Sequence, residues 1–298
     1  SLQNKIVAID KEFYSQRVNQ LNNWNIEYRQ IDILDYDLLK EELNDADIIY
    51  HLAGITDVGQ TKGENDNYKD DLITKTGTVG SQNVIKSANK DSKIVFPSTH
   101  VIFEGIEKVE EELDEETKPM PVLAYSKSKT TTENDLIESK INYVILRLGS
   151  LYGYSGDSTR LNIMPNLFAK NTSMNKNIKL FGGGKQLKTL VSVMDVARCL
   201  EFVGENQSIE NEIFNCANET VTVEEVAKIC KNINPKVEIS VTDDDVPNLG
   251  YSLSNKKIKD KGFSFLYNLE NSIEEMYDNW KFPDKENFNE QISTGLDP

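Results

Sequence analysis

Histidine and cysteine are scarce in this chain of 298 residues. It has two histidines, His51 and His100, and three cysteines, Cys199, Cys216 and Cys230. Two histidines argue against a histidine-rich zinc site. The cysteine spacings fit neither a metal site nor an even-numbered set of disulfides. We therefore expect no metal, and we expect buried thiols in a reducing compartment, the cytoplasm.

Long apolar runs and dense clusters of positive charge are also lacking. No stretch approaches the ~20 apolar residues that cross a bilayer, and no secretory signal precedes the first predicted strand. The net charge of −16 argues against nucleic acid and anionic lipid as partners. Part of the acidic excess lies in one run at residues 107–116, which contains seven carboxylates. Because like charges resist burial, we expect a solvated loop there.

Short apolar strands alternate with helical segments in the first half of the chain. The patterns predict strands at residues 5–10, 26–33, 47–52, 93–96 and 143–147, and helices at 38–43, 74–89 and 125–139. Strands that alternate with helices pair in parallel through right-handed crossovers. We therefore predict an α/β fold of the Rossmann type with a doubly wound parallel sheet.

The second half of the chain is less regular. Three consecutive glycines at residues 182–184 indicate a tight turn. A strand is predicted at residues 212–215, and helices at 192–203, 222–232 and 272–280. The helix at 222–232 begins with a capping-box pattern, Thr222 followed by Glu225.

The most informative pattern is Tyr125-Ser-Lys-Ser-Lys129 in the predicted helix at 125–139. Side chains four residues apart share one face of a helix. A cation beside the phenol favours the phenolate and so lowers its pKa from about 10 toward neutrality. Tyr125 and Lys129 are therefore candidates for proton transfer, although the same spacing also arises by chance on helix surfaces.

A second hydroxyl pattern follows the strand at 93–96. Ser98 and Thr99 lie at its carboxyl end, where open α/β sheets bind their ligands. A hydroxyl there can donate a hydrogen bond to a sugar oxygen, or it can cap the next turn. The combination with Tyr125 and Lys129 favours the first interpretation.

Seven segments together resemble one family, the extended short-chain dehydrogenases/reductases of the NAD-dependent epimerase/dehydratase group. They are HLAG (51–54), FPSTHVIFEG (96–105), YSKSK (125–129), RLGSLYG (147–153), FGGGKQLKTLVSVMDVA (181–197), FNCAN (214–218) with VTVEEVAK after it, and SNKKIKDKGF (254–263). The resemblance implies an NAD-binding domain at residues 1–154 with about 186–216. It also implies a smaller substrate lobe at about 155–185 and 217–285, followed by a polar tail at 286–298.

The resemblance implies three catalytic residues. Tyr125 would exchange a proton with the sugar hydroxyl, Lys129 would bind the nicotinamide ribose and lower the pKa of Tyr125, and Thr99 would replace the family's catalytic serine or threonine. It also implies NAD as the cofactor, because Asp10 would bind the adenosine ribose and repel the extra phosphate of NADP. The other residues implied at the cofactor are Asp32, Ile33, Leu52, Ala53 and Gly54.

The sequence departs from this family at its start. The family begins with a strand and a G-x-x-G-x-x-G turn, whose glycines let the backbone reach the pyrophosphate. The printed sequence has no such turn and opens at the family's second strand. The missing strand would be central in the sheet, so its neighbours would lack a partner. We expect the natural protein to have this segment, and cofactor binding is in doubt without it.

Departures at the substrate side leave the nucleotide open. Lys188 and Asn248 stand where the family usually has phosphate-binding arginines, and Ser150 replaces a substrate-binding asparagine. Lysine supplies charge without the planar fork of arginine. With Ser98 and Thr99, these three residues are our candidates for substrate binding.

Three functions remain in competition. The leading hypothesis is an epimerase that oxidises a nucleotide sugar transiently to a keto sugar. The second is a reductase of a keto-deoxysugar nucleotide, which the string STHVIFEG resembles equally well. The third is a non-catalytic binding subunit on the same fold. His100 and Val101 stand where 4,6-dehydratases have acids, which argues against dehydration. A homodimer through residues 74–89 and 130–139 is implied by the resemblance.

Overall fold

The computed structural model describes residues 4–56, 67–156, 159–242, 244 and 250–282. Asn248 and the predicted tail at 286–298 lie outside these residues. The strands are β1 (Val7–Asp10), β2 (Glu27–Gln30), β3 (Ile48–Tyr50), β4 (Lys93–Thr99), β5 (Glu110–Leu113), β6 (Asn142–Leu148), β7 (Ser150–Tyr152), β8 (Ile178–Leu180), β9 (Leu187–Ser192), β10 (Glu212–Cys216), β11 (Glu219–Thr222), β12 (Ile239–Val241) and β13 (Tyr251–Leu253).

The longest helix in the described part of the chain is α5 (Ala124–Glu138), which bears Tyr125. The helices are α1 (Ser15–Asn23), α2 (Tyr36–Leu43), α3 (Asn67–Thr74), α4 (Ser81–Ser87), α5 (Ala124–Glu138), α6 (Met164–Ser173), α7 (Val193–Glu205), α8 (Val223–Ile233), α9 (Lys256–Asp260) and α10 (Leu269–Lys281). None of the helices in the described ranges is long and apolar enough to cross a membrane.

The chain forms two compact units. The first unit comprises Ser1–Gly105, Glu115–Leu148 and Cys199–Asn215, and the second comprises Ile106–Asp114, Gly149–Arg198 and Cys216–Pro298. These bounds differ from the predicted domains, since residues 106–114, 149–154 and 186–198 group with the second unit. The assignment of cofactor and substrate to separate domains stays a prediction.

The first unit is built on parallel strands. One sheet has the order β10-β6-β4-β3, in which β3, β4 and β6 run parallel in continuous register, and a separate pair joins β1 to β2 in parallel. Its apolar core includes Ile31, Leu39, Ile94, Phe96 and Leu136. The α/β class and the parallel pairing are thus confirmed.

Among the described residues, β1 and β3 each have a strand partner on one edge only. β1 pairs only with β2, and β3 pairs only with β4. The family resemblance implies cofactor contacts at both strand ends, by Asp10, the last residue of β1, and by Leu52, two residues after β3.

The second unit holds three small sheets. Their strand orders are β11-β9-β7, β12-β8 and β13-β5. Its apolar core includes Phe168, Leu180, Val226, Ile273 and Met276. The glycine turn adopts positive φ angles at all three residues, and the capping box of Thr222 and Glu225 is present in full. Both predictions are confirmed.

Two predictions from local pattern were wrong. The acidic run at 107–116 is not all loop, because Glu110–Leu113 forms β5 and pairs in parallel with β13. Its glutamates nevertheless remain exposed. The single helix predicted at 74–89 is interrupted by a π-helical segment, Lys75–Gly80. The backbone packs closely there, since a Cβ on Gly77 would lie 2.7 Å from Ser128 Oγ.

Candidate active site

Thr99 is the last residue of β4 and begins a 3₁₀ turn. Its Oγ1 accepts a hydrogen bond from the amide of Val101 at 3.2 Å. The side chain is buried at this edge of the parallel sheet. The capping role considered from the sequence is therefore real. It also leaves the hydroxyl hydrogen available for donation, so the two roles are compatible.

Tyr125 and Lys129 lie on one face of α5 and converge. The Lys129 Nζ atom lies 5.9 Å from the centroid of the Tyr125 ring. Tyr125 occupies the first turn of the helix, and Lys129 follows one turn later. The structure thus brings together the pair that the five-residue motif predicts, on an element of regular geometry.

The Lys129 ammonium is held from a second side by β4. Nζ donates to the carbonyl oxygen of Pro97 at 2.8 Å and lies 4.4 Å from the centroid of the Phe96 ring. Burial lowers the pKa of Lys129 to about 8, although the nearby carboxylate of Glu133 favours the charged form. A cation with this pKa is largely charged at neutral pH.

A buried ion pair lies one further turn along α5 and was not predicted. Glu133 and Arg147 are 2% and 4% exposed, and Arg147 Nη2 lies 2.8 Å from Glu133 Oε2. Ser98 Oγ donates to Glu133 Oε1 at 2.5 Å. Ser98 and Arg147 are direct neighbours across β4 and β6, so both side chains reach the same carboxylate. No sequence signal links these three residues, because the contact depends on strand register.

The hydroxyl of Ser98 is therefore directed at Glu133 inside the first unit. The side chain is 3% exposed, and the carboxylate is a strong acceptor. The role of Ser98 in substrate binding stays a prediction. In the structure its hydroxyl donates to Glu133.

The acids predicted at the cofactor lie at the carboxyl ends of β1 and β2, Asp10 as the last residue of β1 and Asp32 two residues after β2. Asp10 is exposed, and its Oδ1 accepts a hydrogen bond from the amide of Glu12 at 2.9 Å. Asp32 Oδ1 accepts from the amide of Leu34 at 2.9 Å. Each carboxylate therefore holds its own turn and retains a second oxygen that is able to accept from a ribose or an adenine.

The remaining residues predicted at the cofactor differ in exposure. Ile33 is buried against Gly80, where a Cβ would lie 2.5 Å from the end of the isoleucine side chain. Leu52, Ala53 and Gly54 are exposed directly after β3. An exposed segment of small residues at the end of a parallel strand suits close approach of a ligand.

His51 is a buried neutral side chain next to this segment. Its Nε2 lies 2.8 Å from Ser81 Oγ, and its ring stacks on Phe96 at 5.5 Å between centroids. Burial lowers the pKa of His51 to about 3, and the nearby Lys129 charge acts in the same direction. The imidazole thus helps to pack the Phe96 ring against which Lys129 lies.

The second unit contains the other predicted substrate residues. Ser150 begins β7 and pairs in register with Leu190 of β9. Lys188 lies two residues earlier on β9, so Ser150 and Lys188 project from the same face of this sheet. Burial lowers the pKa of Lys188. Asn248 lies outside the described residues.

Metal-binding clusters are not found among the described side chains. No group of three or more histidine, cysteine, aspartate or glutamate residues in those ranges is placed to hold an ion. The three cysteines are buried and unbridged.

A family model matches residues 2–217 of the chain, including every residue of the Thr99, Tyr125 and Lys129 set. The chain belongs to the NAD dependent epimerase/dehydratase family. This confirms the resemblance drawn from the sequence, and it confirms NAD as the cofactor of the family to which the chain belongs. The family is one of enzymes.

Curated relatives of the chain differ in reaction. It is 25% identical over 154 residues to a probable low-salt glycan biosynthesis reductase of Haloferax volcanii, a match that covers 51% of this chain and 49% of the reductase. The chain therefore spans about half the length of that relative. It is 24% identical over 233 residues to a UDP-N-acetyl-alpha-D-glucosaminuronate decarboxylase of Bacillus cytotoxicus, covering 74% and 70%.

A solved structure with the same fold is the UDP-glucuronic acid 4-epimerase of Bacillus cereus, in complex with UDP-glucuronic acid and NAD. The two structures superpose with a TM-score of 0.77 at 20% identity, over 93% of this chain and 91% of the epimerase. At this identity the likeness establishes the Rossmann-type fold and leaves the reaction open.

Proposed function

We propose that this protein is an NAD-dependent nucleotide-sugar epimerase in which Tyr125 is the acid and base. The observation that carries the proposal is the placement of the Lys129 ammonium, 5.9 Å from the Tyr125 ring centroid and anchored to Pro97. A fixed cation beside a phenol favours proton exchange near neutral pH. The known epimerases of this fold support the same reaction class.

In this proposal Tyr125 takes the proton from a sugar hydroxyl and later returns it. Lys129 stabilises the phenolate between these two steps. Thr99 donates its hydroxyl hydrogen to the same sugar oxygen. The hydrogen bond that its Oγ1 atom accepts from the amide of Val101 orients the hydroxyl and leaves this hydrogen available. Bound NAD supplies the hydride acceptor and donor.

The described residues fit a bound dinucleotide at several points. Asp10 offers a carboxylate oxygen at the end of β1, and the exposed run at 52–54 offers small residues at the end of β3. The amine of Lys129 lies within reach of the end of β4. Such an arrangement matches ligand binding at the carboxyl edge of a parallel sheet. The pyrophosphate would need a glycine-rich turn, which the printed sequence does not include.

Lys188 is the proposed contact for the nucleotide diphosphate. It is a half-buried cation on the same face of the β9 sheet as Ser150. Burial disfavours its charge, so an anionic ligand would be bound with a gain in electrostatic energy. Asn248 and Ser150 are proposed as neutral substrate contacts.

A reductase of a keto-deoxysugar nucleotide is the second candidate. The sequence STHVIFEG around Thr99 and the curated Haloferax volcanii reductase favour it. Both reactions use the same three residues, since each moves a proton and a hydride at one carbon. They differ in whether reduced cofactor is consumed.

The deciding experiment incubates the full-length protein with a panel of nucleotide sugars and their 4-keto derivatives. Products are assigned by NMR while cofactor oxidation is followed by absorbance. The epimerase predicts inversion at one carbon with no net change in NADH, whereas the reductase predicts one NADH consumed per product. Turnover of no substrate in the panel, with NAD bound, would instead favour a binding subunit.

Tyr125→Phe provides the test of the mechanism. We expect turnover to fall by ~10²-fold or more, as acid–base catalysis contributes at least that much. Tyr143→Phe removes a phenol hydroxyl from β6 in the same unit and serves as the control, with turnover unchanged. Near-normal turnover in Tyr125→Phe would refute the assignment of the acid and base.

We also propose that the protein is a homodimer through the helices predicted for this role. Val79 and Ile137 are each 46% exposed on those segments. A concave surface of about 500 Å³ beside them is lined by Asp70 and Thr74 of α3 and by Lys127 and Thr131 of α5. Light scattering of the full-length protein tests this: a dimer is expected, which Ile137→Glu should convert to a monomer.

A further inference from the structure

Glu104 links the turn after Thr99 to the start of the helix that bears Tyr125. Its Oε1 atom accepts hydrogen bonds from the amides of Val122 at 2.8 Å and Leu123 at 2.6 Å, and from the hydroxyl of Ser126. All three donors reach the same oxygen. The carboxylate therefore binds the backbone on one side of Tyr125 and a side chain on the other.

Helix α5 has no cap of its own at this end. The first amides of a helix lack partners within the helix and are usually satisfied by a side chain at the N-cap position. The N-cap residue is Leu123, whose apolar side chain accepts no hydrogen bond. Glu104, from a different segment, accepts from the amide of this N-cap residue and from the amide before it, and a carboxylate suits the positive end of the helix dipole.

Two backbone hydrogen bonds reinforce the same connection. The amide of Met120 donates to the carbonyl of Ile102 at 2.8 Å, and the amide of Gly105 donates to the carbonyl of Met120 at 3.0 Å. The turn that follows Thr99 is thus tied to the segment that precedes α5 on both sides of Glu104.

We propose that Glu104 is a positioning residue that sets the placement of the Tyr125 phenol relative to the Thr99 hydroxyl. This inference rests on the proposed function, in which both groups act on one sugar oxygen. Proton transfer requires heavy atoms within about 3 Å of each other. A cap that fixes the first turn of α5 fixes the backbone of Tyr125, because Tyr125 lies between Leu123 and Ser126.

The variants Glu104→Ala and Glu104→Gln separate the cap from the charge. Glutamine keeps the oxygen that receives all three hydrogen bonds but loses the negative charge and exchanges the second oxygen for an NH2 group, whereas alanine also loses the three hydrogen bonds. We expect Glu104→Ala to lower kcat by about 10-fold to 100-fold with little change in KM, since small misplacements cost this much. Glu104→Gln should stay within about threefold of the wild type. Glu107→Ala, at an exposed position nearby, is the matched control.

Hydrogen exchange of the full-length protein gives a readout independent of turnover. The amides of Val122 and Leu123 should exchange faster in Glu104→Ala and remain protected in Glu104→Gln, while the amides of β4 are unchanged. If Glu104→Ala does not fold, Glu104→Asp replaces it, because the shorter side chain cannot reach all three donors. Aspartate should then show the loss and glutamine the rescue.

The outcomes distinguish this inference from the function on which it rests. If Tyr125→Phe keeps its activity, the proposed function is wrong, whatever Glu104 does. If Tyr125→Phe loses activity while Glu104→Ala keeps kcat and amide protection, the positioning role is wrong. Equal losses in Glu104→Ala and Glu104→Gln would also overturn it, because the charge alone would then be responsible.

Discussion

Removal of the Glu133 carboxylate should destabilise the first unit strongly. In Glu133→Gln the guanidinium of Arg147 would keep its buried position, 4% exposed, without a counter-charge. Leaving one member of a buried ion pair unpaired costs about 3–5 kcal/mol. Glutamine retains one oxygen for the Ser98 hydroxyl, but its NH2 group replaces the Oε2 atom that accepts from Arg147. The loss therefore includes these hydrogen bonds as well as the charge.

A double-mutant cycle isolates the interaction between the two charges. Arg147→Met alone leaves Glu133 buried without its cation, and we again expect a loss of about 3–5 kcal/mol. The double variant should lose clearly less than the sum of the two single losses, because neither charge is then left unpaired. Ser98→Ala removes one neutral donor to the same carboxylate and should cost about 1.5–3 kcal/mol, the usual range for a hydrogen bond to a charged group.

The measurement is amide hydrogen exchange in β4 and α5, which reports the free energy of opening the first unit by itself. Glu138→Gln is the matched control, since Glu138 is an exposed residue at the end of the same helix and should change stability by less than about 0.5 kcal/mol. A loss below about 1 kcal/mol in Glu133→Gln, or additive losses in the cycle, would show that the pair is not electrostatically coupled.

Three further predictions concern pH, cofactor and packing. Turnover should fall as the pH rises through about 8, because Lys129 then loses the proton that favours the phenolate; a pH–rate profile that stays level to pH 10 would contradict this. Asp10→Ser should raise the preference for NADP over NAD by at least ~10-fold, because the carboxylate of Asp10 would no longer repel the extra phosphate of NADP. Steady-state KM values for the two cofactors measure this preference. Gly80→Ala should lower the free energy of unfolding by about 1–3 kcal/mol, because the added methyl group would overpack against Ile33. The control is Gly54→Ala, whose methyl group would meet nothing within 4 Å and should leave the free energy of unfolding in urea almost unchanged.

Elements with strong local signals were predictable from the sequence. Helix α5 was placed within one residue at each end, and α8 with its capping box was also placed correctly. In both cases the decisive information lies within a dozen residues, as helical periodicity at α5 and as the Thr222–Glu225 pair at α8. Tyr125 and Lys129 were found for the same reason, since their spacing alone puts them on one helical face.

Elements that depend on distant partners were missed. β5 consists of acidic residues with no strand pattern, and it forms because β13, about 140 residues away in the chain, supplies the hydrogen bonds. The π-helical segment at Lys75–Gly80 similarly depends on α5, because Gly77 lies against Ser128 and its carbonyl accepts from Thr132 at 3.0 Å. Periodicity within one segment carries no information about such contacts.

The residues of the candidate site also fall into those with a local sequence signal and those that depend on distant partners. The sequence identifies the groups proposed to do the chemistry. The structure adds two carboxylates that contact the same elements: Glu104, which meets the start of α5, and Glu133, two turns further along that helix. Each contacts residues from segments that are remote in sequence, and each carboxylate taken alone looks like an ordinary surface acid. Only the pairing of β4 with β6 and the approach of the turn after Thr99 to α5 reveal their partners.

Glu133 and Arg147 bear on the proposed mechanism through the charge of Lys129. Burial against Phe96 favours the neutral amine, yet the proposed mechanism needs the cation. Glu133 supplies negative charge that raises the pKa of Lys129, and its ion pair with Arg147 holds that carboxylate in place. A lysine at this spacing on a solvated helix would keep its charge but would also be free to turn away from the tyrosine. At Lys129 the contacts with Pro97 and Phe96 hold the amine in place, and the carboxylate of Glu133 favours its charged form. The proposed mechanism needs both, because only a fixed cation can stabilise the phenolate of Tyr125.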